Sequence, residues 1–215
     1  NRLQEFHVDF EEGEIFGEKL ISFQDPDGLQ LQFIESSTAD DRKPWVTDDI
    51  KDENALKGFH TITLTLKNAA PTIKVLTNIF GYDLQKKEGD RYRVATNAIE
   101  TANIVDIIEN DEIQSGKNAA GTNHHVAFRV KDEEVLMEFR EKVVAAGLNI
   151  TTKIDRDYFY SLYFREPGGI LFEIATDNPG FTVDEPLDEL GTNLKLPKQH
   201  EPLRSRIEEV LPKLS

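Results

Sequence analysis

Two adjacent histidines are the residues of this chain best placed to carry chemistry. His124 and His125 come directly before the stretch Val126 to Val130, whose apolar and polar residues alternate as in a half-buried strand. Because side chains of a strand alternate between two faces, His124 shares the apolar face with Phe128. His125 falls on the other face, beside an alanine and an arginine. A small residue and a charge next to an imidazole favour the lining of a cavity.

Glu173 is the third residue that attracts attention, because it lies in the apolar stretch Ile170 to Thr176. The same alternation places Phe172 and Ile174 on the packed face and Glu173 on the opposite one. A buried carboxylate costs several kcal/mol unless it is paired or coordinates a cation. On the residues alone, Glu173 is therefore either half of a structural salt bridge or a metal ligand.

The composition limits the chemistry further. The chain has no cysteine, which excludes disulfides, thiolate nucleophiles and sulfur-based zinc sites, so any metal must be held by histidine and carboxylate. Its 40 acidic and 25 basic residues give a net charge of −15, which disfavours nucleic acid and anionic membranes as partners. No segment approaches the roughly 18 apolar residues of a membrane span, and a cytoplasmic location is the default expectation.

An internal duplication supplies the elements that position these residues. Residues 58–110 and 122–177 each read as a strand, a helix and three further strands, with the histidine pair opening the second module and Glu173 in its last strand. Four residues mark the ends of the two predicted helices, with Asn68 and Asp132 as N-caps and Gly81 and Gly147 as left-handed C-terminal caps.

The rest of the chain fits around these two modules. Residues 1–35 match the last part of the same pattern, which predicts the C-terminal part of an incomplete first domain. Residues 36–57 are polar and acidic and are expected to form a linker. A second domain is predicted over 58–177, followed by a tail over 178–215 with a final helix from Pro202. Since the chain starts without methionine in what reads as mid-domain, we expect a preceding N-terminal part.

The module order, the strand beginning His124-His125 and the closing segment Glu166 to Glu173 resemble the vicinal oxygen chelate superfamily, which unites glyoxalases, bleomycin resistance proteins and extradiol dioxygenases. Within it, the chain is most similar to bacterial dioxygenases that cleave hydroquinone rings. The resemblance covers almost the whole chain, including the tail from Asp177 to Leu187. It implies an α+β fold of tandem βαβββ modules, whose curved mixed sheets surround a metal cup with helices on the outer face.

The same resemblance implies a metal held by two histidines and one glutamate, with His125 and Glu173 as two of these ligands by motif match. Fe(II) is the expected metal, with Mn(II), Zn(II) or Ni(II) as alternatives. His60 opens the preceding module, but it shares its face with apolar residues and is expected to be a structural histidine. In the resembling hydroquinone-cleaving dioxygenases the first ligand comes from a histidine pair that opens the first module. The resemblance therefore implies that the third ligand lies in the missing N-terminal module, with His60 as the less favoured candidate. Gln32 stands where the first half would carry its own glutamate, so that half should lack a complete site.

The implied activity is an Fe(II)-dependent, extradiol-type ring cleavage of hydroquinone- or catechol-like aromatics by O2. His124, Arg156 and Tyr163 match residues that contact or polarise the substrate in the resembling dioxygenases. Tyr163 could instead pack at a barrel rim, and Arg156 could lie in a solvated loop. A glyoxalase-like isomerase or thiol transferase and a metal-free sequestering protein are the alternative functions. A homodimer is among the assemblies that the sequence leaves open.

Overall fold

The computed structural model describes residues 2–36 and 40–212 of the chain. Over these residues the chain is α+β with curved mixed sheets, which confirms the predicted fold class. The described residues divide into two compact units, the first made of those up to 126 together with 165–172, and the second made of 127–164 and 173–212. No helix of the described part is long and apolar enough to cross a membrane.

The N-terminal part of the first unit is a three-stranded antiparallel sheet. Its elements are α1 (Arg2–Glu5), β1 (Phe10–Ile15), β2 (Glu18–Gln24) and β3 (Gln30–Ile34), with the strands in the order β1-β2-β3. Asp25 closes the turn between β2 and β3, because its carboxylate accepts hydrogen bonds from the backbone N–H groups of Asp27 and Leu29. The match to the repeated pattern predicts strands near Lys19 to Gln24 and Leu29 to Glu35, which are β2 and β3, whereas β1 was not predicted.

The first βαβββ module completes this unit. Its elements are β4 (Thr61–Leu66), α2 (Ala69–Asn78), β5 (Asp83–Glu88), β6 (Arg91–Ala95) and β7 (Ile104–Glu109). The strand order is β4-β7-β6-β5, with β4 and β7 parallel and the other pairs antiparallel. Asn68 caps α2 as predicted, by accepting a hydrogen bond from the N–H of Ala70. Gly81 follows the helix with φ +72°, as a left-handed cap requires.

The second module repeats this order. Its elements are β8 (Val126–Val130), α3 (Glu133–Ala145), β9 (Ile154–Asp155), β10 (Tyr160–Arg165) and β11 (Leu171–Thr176), with the strands in the order β8-β11-β10-β9. Asp132 caps α3 by accepting from the N–H of Val135, and Gly147 has φ +76°. The sequence predicts this strand near Ile150 to Ile154, whereas β9 covers only Ile154–Asp155 and Ile150 forms a single bridge with Phe164.

The turn between β10 and β11 is built around a buried glutamate. Glu166 is 2 % exposed and accepts hydrogen bonds from the Thr72 hydroxyl at 2.5 Å and from two backbone N–H groups of its own turn. A Cβ atom at Gly168 would lie 2.7 Å from the Leu66 side chain and 2.9 Å from the Glu166 carboxylate. Glu166 and Gly168 of the Glu-Pro-Gly-Gly motif are therefore required for packing within the first unit.

The remaining segments contain little regular structure. The stretch predicted as a linker has one 3₁₀ turn, Asp52–Asn54, in its described part from 40 to 57, and residues 37–39 lie outside the described residues. The final helix, α4 (Arg204–Val210), begins two residues later than predicted, because Pro202 lies in a preceding 3₁₀ turn.

Candidate active site

Strands β8 and β11 present the faces that their alternation predicts. Phe128 and Val130 of β8 are 8 % and 6 % exposed. Ala127 and Arg129, which alternate with them along the strand, are exposed. In β11, Phe172 and Ile174 are fully buried. The residues between and after them, Glu173 and Ala175, line the same cavity as Ala127 and Arg129. The burial predicted for Phe128, Val130, Phe172 and Ile174 is thus confirmed, although Phe128 also lines the cavity.

The cavity lies within the second unit and has a volume of about 360 Å³, in the range of small-molecule sites. Much of its wall is aromatic. The lining residues are Ala127, Phe128, Arg129, Tyr158, Phe159, Glu173, Ala175, Thr176, Asp177, Gly180 and Phe181. The rings of Tyr158 and Phe181 stack with centroids 5.0 Å apart, and Arg129 pairs with Asp177 at 2.6 Å. Such a wall suits a flat, largely apolar ligand.

Glu173 is the buried acid of this cavity. Its side chain is only 3 % exposed, and the Tyr163 hydroxyl donates a hydrogen bond to its Oε1 at 2.5 Å. Burial, together with the hydrogen bond to Glu173, raises the pKa of Tyr163, so the phenol keeps its proton at neutral pH. Arg156 lies over the Tyr163 ring, 5.4 Å from its centroid. The second unit thus brings together three of the residues singled out in the sequence.

The two histidines do not lie on opposite faces of a strand, although the sequence alternation predicted this. Strand β8 begins at Val126, so His124 and His125 both precede it, and both are exposed. Strand alternation therefore does not separate them. Their Nδ1 atoms are 2.9 Å apart, with the ring planes at 88°. Only one hydrogen can lie between two Nδ1 atoms, so one ring donates and the other accepts. This contact does not use Nε2 of His125, the other nitrogen through which histidine binds metals.

His60 belongs to a network of charged residues in the first unit. Its Nε2 lies 3.3 Å from a Glu18 oxygen, and Glu18 also accepts a hydrogen bond from Arg93. Arg93 in turn binds Asp106 through two nitrogens. The sequence reasoning missed this network, although Asp106 interrupts an apolar strand much as Glu173 does. Within residues 2–36 and 40–212, no group of three or more histidine and acidic side chains is arranged to hold a metal ion.

Comparisons with known proteins give a consistent result. Residues 58–174 match the family model described as "Glyoxalase/Bleomycin resistance protein/Dioxygenase superfamily". The chain is 39 % identical over 212 residues to the Bacillus subtilis (strain 168) protein named "Putative ring-cleaving dioxygenase MhqO", covering 98 % of this chain and 66 % of that protein. It is 33 % identical over 198 residues to the "Chlorohydroquinone/hydroquinone 1,2-dioxygenase" of Sphingobium indicum, covering 90 % of this chain and 61 % of that enzyme.

A solved structure agrees over the whole chain. The crystal structure titled as a putative dioxygenase from Bacillus subtilis subsp. subtilis str. 168 superposes with a TM-score of 0.90 at 38 % identity. The superposition covers 100 % of this chain and 68 % of that one. The chain therefore spans about two thirds of the length of these relatives.

Proposed function

Because the chain belongs to the glyoxalase/bleomycin resistance protein/dioxygenase superfamily, we propose that it acts as an Fe(II)-dependent, extradiol-type ring-cleaving dioxygenase. The proposed substrates are hydroquinone- or catechol-like aromatics and O2, in line with the names of two relatives. The observation that carries the proposal is the buried Glu173 carboxylate, which lines an aromatic cavity of about 360 Å³ and accepts a hydrogen bond from Tyr163.

We propose His125 and Glu173 as two of the metal ligands. An imidazole and a carboxylate, in a chain without cysteine, are donors that suit Fe(II) or Mn(II). The buried position of Glu173 also fits, because a cation compensates for the lost hydration of the carboxylate. His60 is the less favoured third ligand, since it already contacts Glu18.

The roles of the other residues follow from their contacts. When bound, Fe(II) would supply polarisation of a substrate hydroxyl and one-electron chemistry with O2. Tyr163 holds a proton at its hydroxyl and can pass it to a substrate oxygen. Arg156, beside the Tyr163 ring, favours an ionised substrate hydroxyl. His124 orients the His125 imidazole through the contact between their Nδ1 atoms.

The aromatic side chains of the cavity wall can hold the substrate in position for these groups. The stacked pair of Tyr158 and Phe181 can place a ring against its face, and Phe159 adds a further aromatic side chain to the cavity wall. Holding the ring in one orientation lowers the entropic part of the barrier.

The test is anaerobic loading of the protein with Fe(II), followed by measurement of O2 uptake with hydroquinones and catechols. Uptake by the wild type, with loss of both uptake and bound iron in His125→Ala and Glu173→Gln, is the expected result. His200→Ala serves as the matched control for adventitious binding to an exposed histidine. No uptake with either substrate class would refute the dioxygenase. If the protein as purified contains zinc or nickel and shows no O2 uptake, a glyoxalase-like isomerase would be favoured.

A further inference from the structure

The cavity of the second unit has charged residues at two separate places. One is Glu173, which accepts a hydrogen bond from Tyr163 and belongs to the proposed metal site. The other is an ion pair between two further lining residues, in which Nε of Arg129 donates to Oδ1 of Asp177 at 2.6 Å. The roles proposed so far give this ion pair no part in the reaction.

The geometry of β11 keeps the two places apart. Glu173, Ala175 and Asp177 are alternate residues, the last directly after the end of the strand, and all three line the cavity. Four residues of extended chain cover about 13 Å. Ala175 on β11 and Ala127 on β8 add only methyl groups to the wall. An aromatic ring with a substituent at each end therefore fits between Glu173 and the ion pair.

The ion pair can still form hydrogen bonds with a ligand. The Nη groups of Arg129 donate no hydrogen bond to any residue that the structure describes, and Oδ2 of Asp177 accepts none from them. The two side chains are 72 % and 46 % exposed, so a ligand in the cavity can reach them. Donors thus lie beside an acceptor, an arrangement that suits a hydroxyl group, whose oxygen both accepts and donates.

The charges of the ion pair favour a neutral ligand group over an anionic one. The hydrogen bond and the negative charge of Asp177 raise the pKa of Arg129, so the guanidinium is a permanent cation whose charge Asp177 balances. A ligand carboxylate would have to displace Asp177 or lie next to it, whereas a hydroxyl leaves the ion pair intact. As an exposed ion pair, it also contributes little to stability, so the fold does not require it.

We propose that Arg129 and Asp177 determine substrate specificity by binding the ring hydroxyl that lies opposite the one at Glu173. An Nη group of Arg129 donates to this oxygen, and the hydroxyl donates to Oδ2 of Asp177. The inference rests on the proposed function, which places the first hydroxyl at Glu173, and it adds a role in selecting 1,4-diols. A 1,2-diol has both hydroxyls at the Glu173 end and gains nothing from the ion pair.

The test measures ligand binding to the full chain by anaerobic isothermal titration calorimetry after incubation with Fe(II). The probes are hydroquinone, catechol and 4-methoxyphenol, whose ether oxygen accepts a hydrogen bond but donates none. The wild type should bind hydroquinone on the order of 10-fold more tightly than 4-methoxyphenol, as for one hydrogen bond to a charged group. In Asp177→Ala this preference should disappear, while catechol should bind as in the wild type, which also shows that the site is intact.

Glu201→Ala is the matched control. It removes an acid with the same side-chain exposure of 46 % from an ion pair with Arg204, and Glu201 does not line the cavity. This variant should keep the preference of the wild type. An equal preference for hydroquinone in the wild type and Asp177→Ala would overturn the proposal.

A change of specificity provides the second measurement, with 4-hydroxybenzoate as the probe. In Asp177→Ala the guanidinium of Arg129 has lost its partner and can bind the carboxylate, so the affinity should rise on the order of 10-fold. Arg129→Ala combined with Asp177→Ala should abolish this gain, and a gain that persists without Arg129 would contradict the proposal.

The binding measurements separate this inference from the proposed function. If O2 uptake is absent but the two preferences change as expected, the dioxygenase is refuted and the role of the ion pair stands. If O2 uptake occurs and neither preference changes in the variants, the role of the ion pair is refuted and the dioxygenase stands.

Discussion

At the scale of single residues, the hydrogen bond between Tyr163 and Glu173 connects the burial of the Glu173 carboxylate with the proton transfer proposed for Tyr163. The hydroxyl satisfies one oxygen of a buried carboxylate and keeps its own proton because its pKa is raised. In Tyr163→Phe we expect kcat for ring cleavage to fall by roughly 100-fold, as for loss of a general acid, with bound iron retained. Steady-state O2 uptake and iron analysis measure the two effects.

Tyr160→Phe, on the same strand, is the control for this variant, because the Tyr160 ring contacts Lys153 and not Glu173. Unchanged kcat in Tyr163→Phe would exclude a role for its hydroxyl in the reaction. Loss of iron would instead show that the Tyr163 hydroxyl holds Glu173 in position as a proposed metal ligand.

Glu18 predicts an acid-sensitive stability. Its folded-state pKa lies below the usual value of 4.5, so its contribution to stability is present above that pH and is lost as the pH falls through the folded-state pKa. Urea unfolding between about pH 3 and pH 7 should show a decline in the free energy of unfolding below about pH 4.5. Glu18→Gln should reduce this decline, whereas Glu11→Gln, at an exposed position of β1, should not. Equal slopes in the wild type and Glu18→Gln would contradict the assignment.

Strand alternation was enough to predict the residues of β8 and β11 that pack in the core, because a period of two depends only on local sequence. It failed at His124 and His125, because the strand begins at Val126 and alternation has no meaning outside it. Arg93 could not be predicted from sequence, since its pairing with Asp106 depends on the register between β6 and β7. That register is a property of the folded sheet.

At the scale of elements, the turn between β10 and β11 depends on the missing side chain of Gly168. In Gly168→Ala, contacts of 2.7 to 2.9 Å would force Leu66, Thr72 or Glu166 to move. We expect a loss of roughly 1–3 kcal/mol in the free energy of unfolding, measured by urea denaturation. Gly116→Ala is the matched control, because its Cβ meets nothing within 4 Å, and it should change stability by less than about 0.5 kcal/mol. Equal effects of the two substitutions would show that the turn tolerates a methyl group.

The elements themselves were largely predictable. Both helices and their caps followed from the spacing of apolar residues and from Asn68 and Asp132. Strand β1 escaped prediction because its sequence contains three glutamates and a glycine, residues that are rare in strands. It is held by its backbone pairing with β2, and its exposed charges suit an edge strand, where they discourage pairing with other chains.

At the scale of the whole molecule, the net charge of −15 opposes the folded state through self-repulsion. Salt screens this repulsion, since the Debye length falls from about 30 Å at 10 mM to about 8 Å at 150 mM ionic strength. We therefore expect Tm to rise over this range, equally in sodium and potassium chloride, as measured by calorimetry. A decrease in Tm would mean that screened attractions between surface ion pairs outweigh the repulsion.

The pairing of Arg93 with Asp106 and Glu18 has one more consequence. A guanidinium joined to the backbone cannot dissociate into a chelator, exchange for a competing ion or change its oxidation state. The buried carboxylates of Glu18 and Asp106 should therefore keep their partner when iron is scarce or an oxidant is present. Loss of metal from the proposed site would then leave the first unit folded.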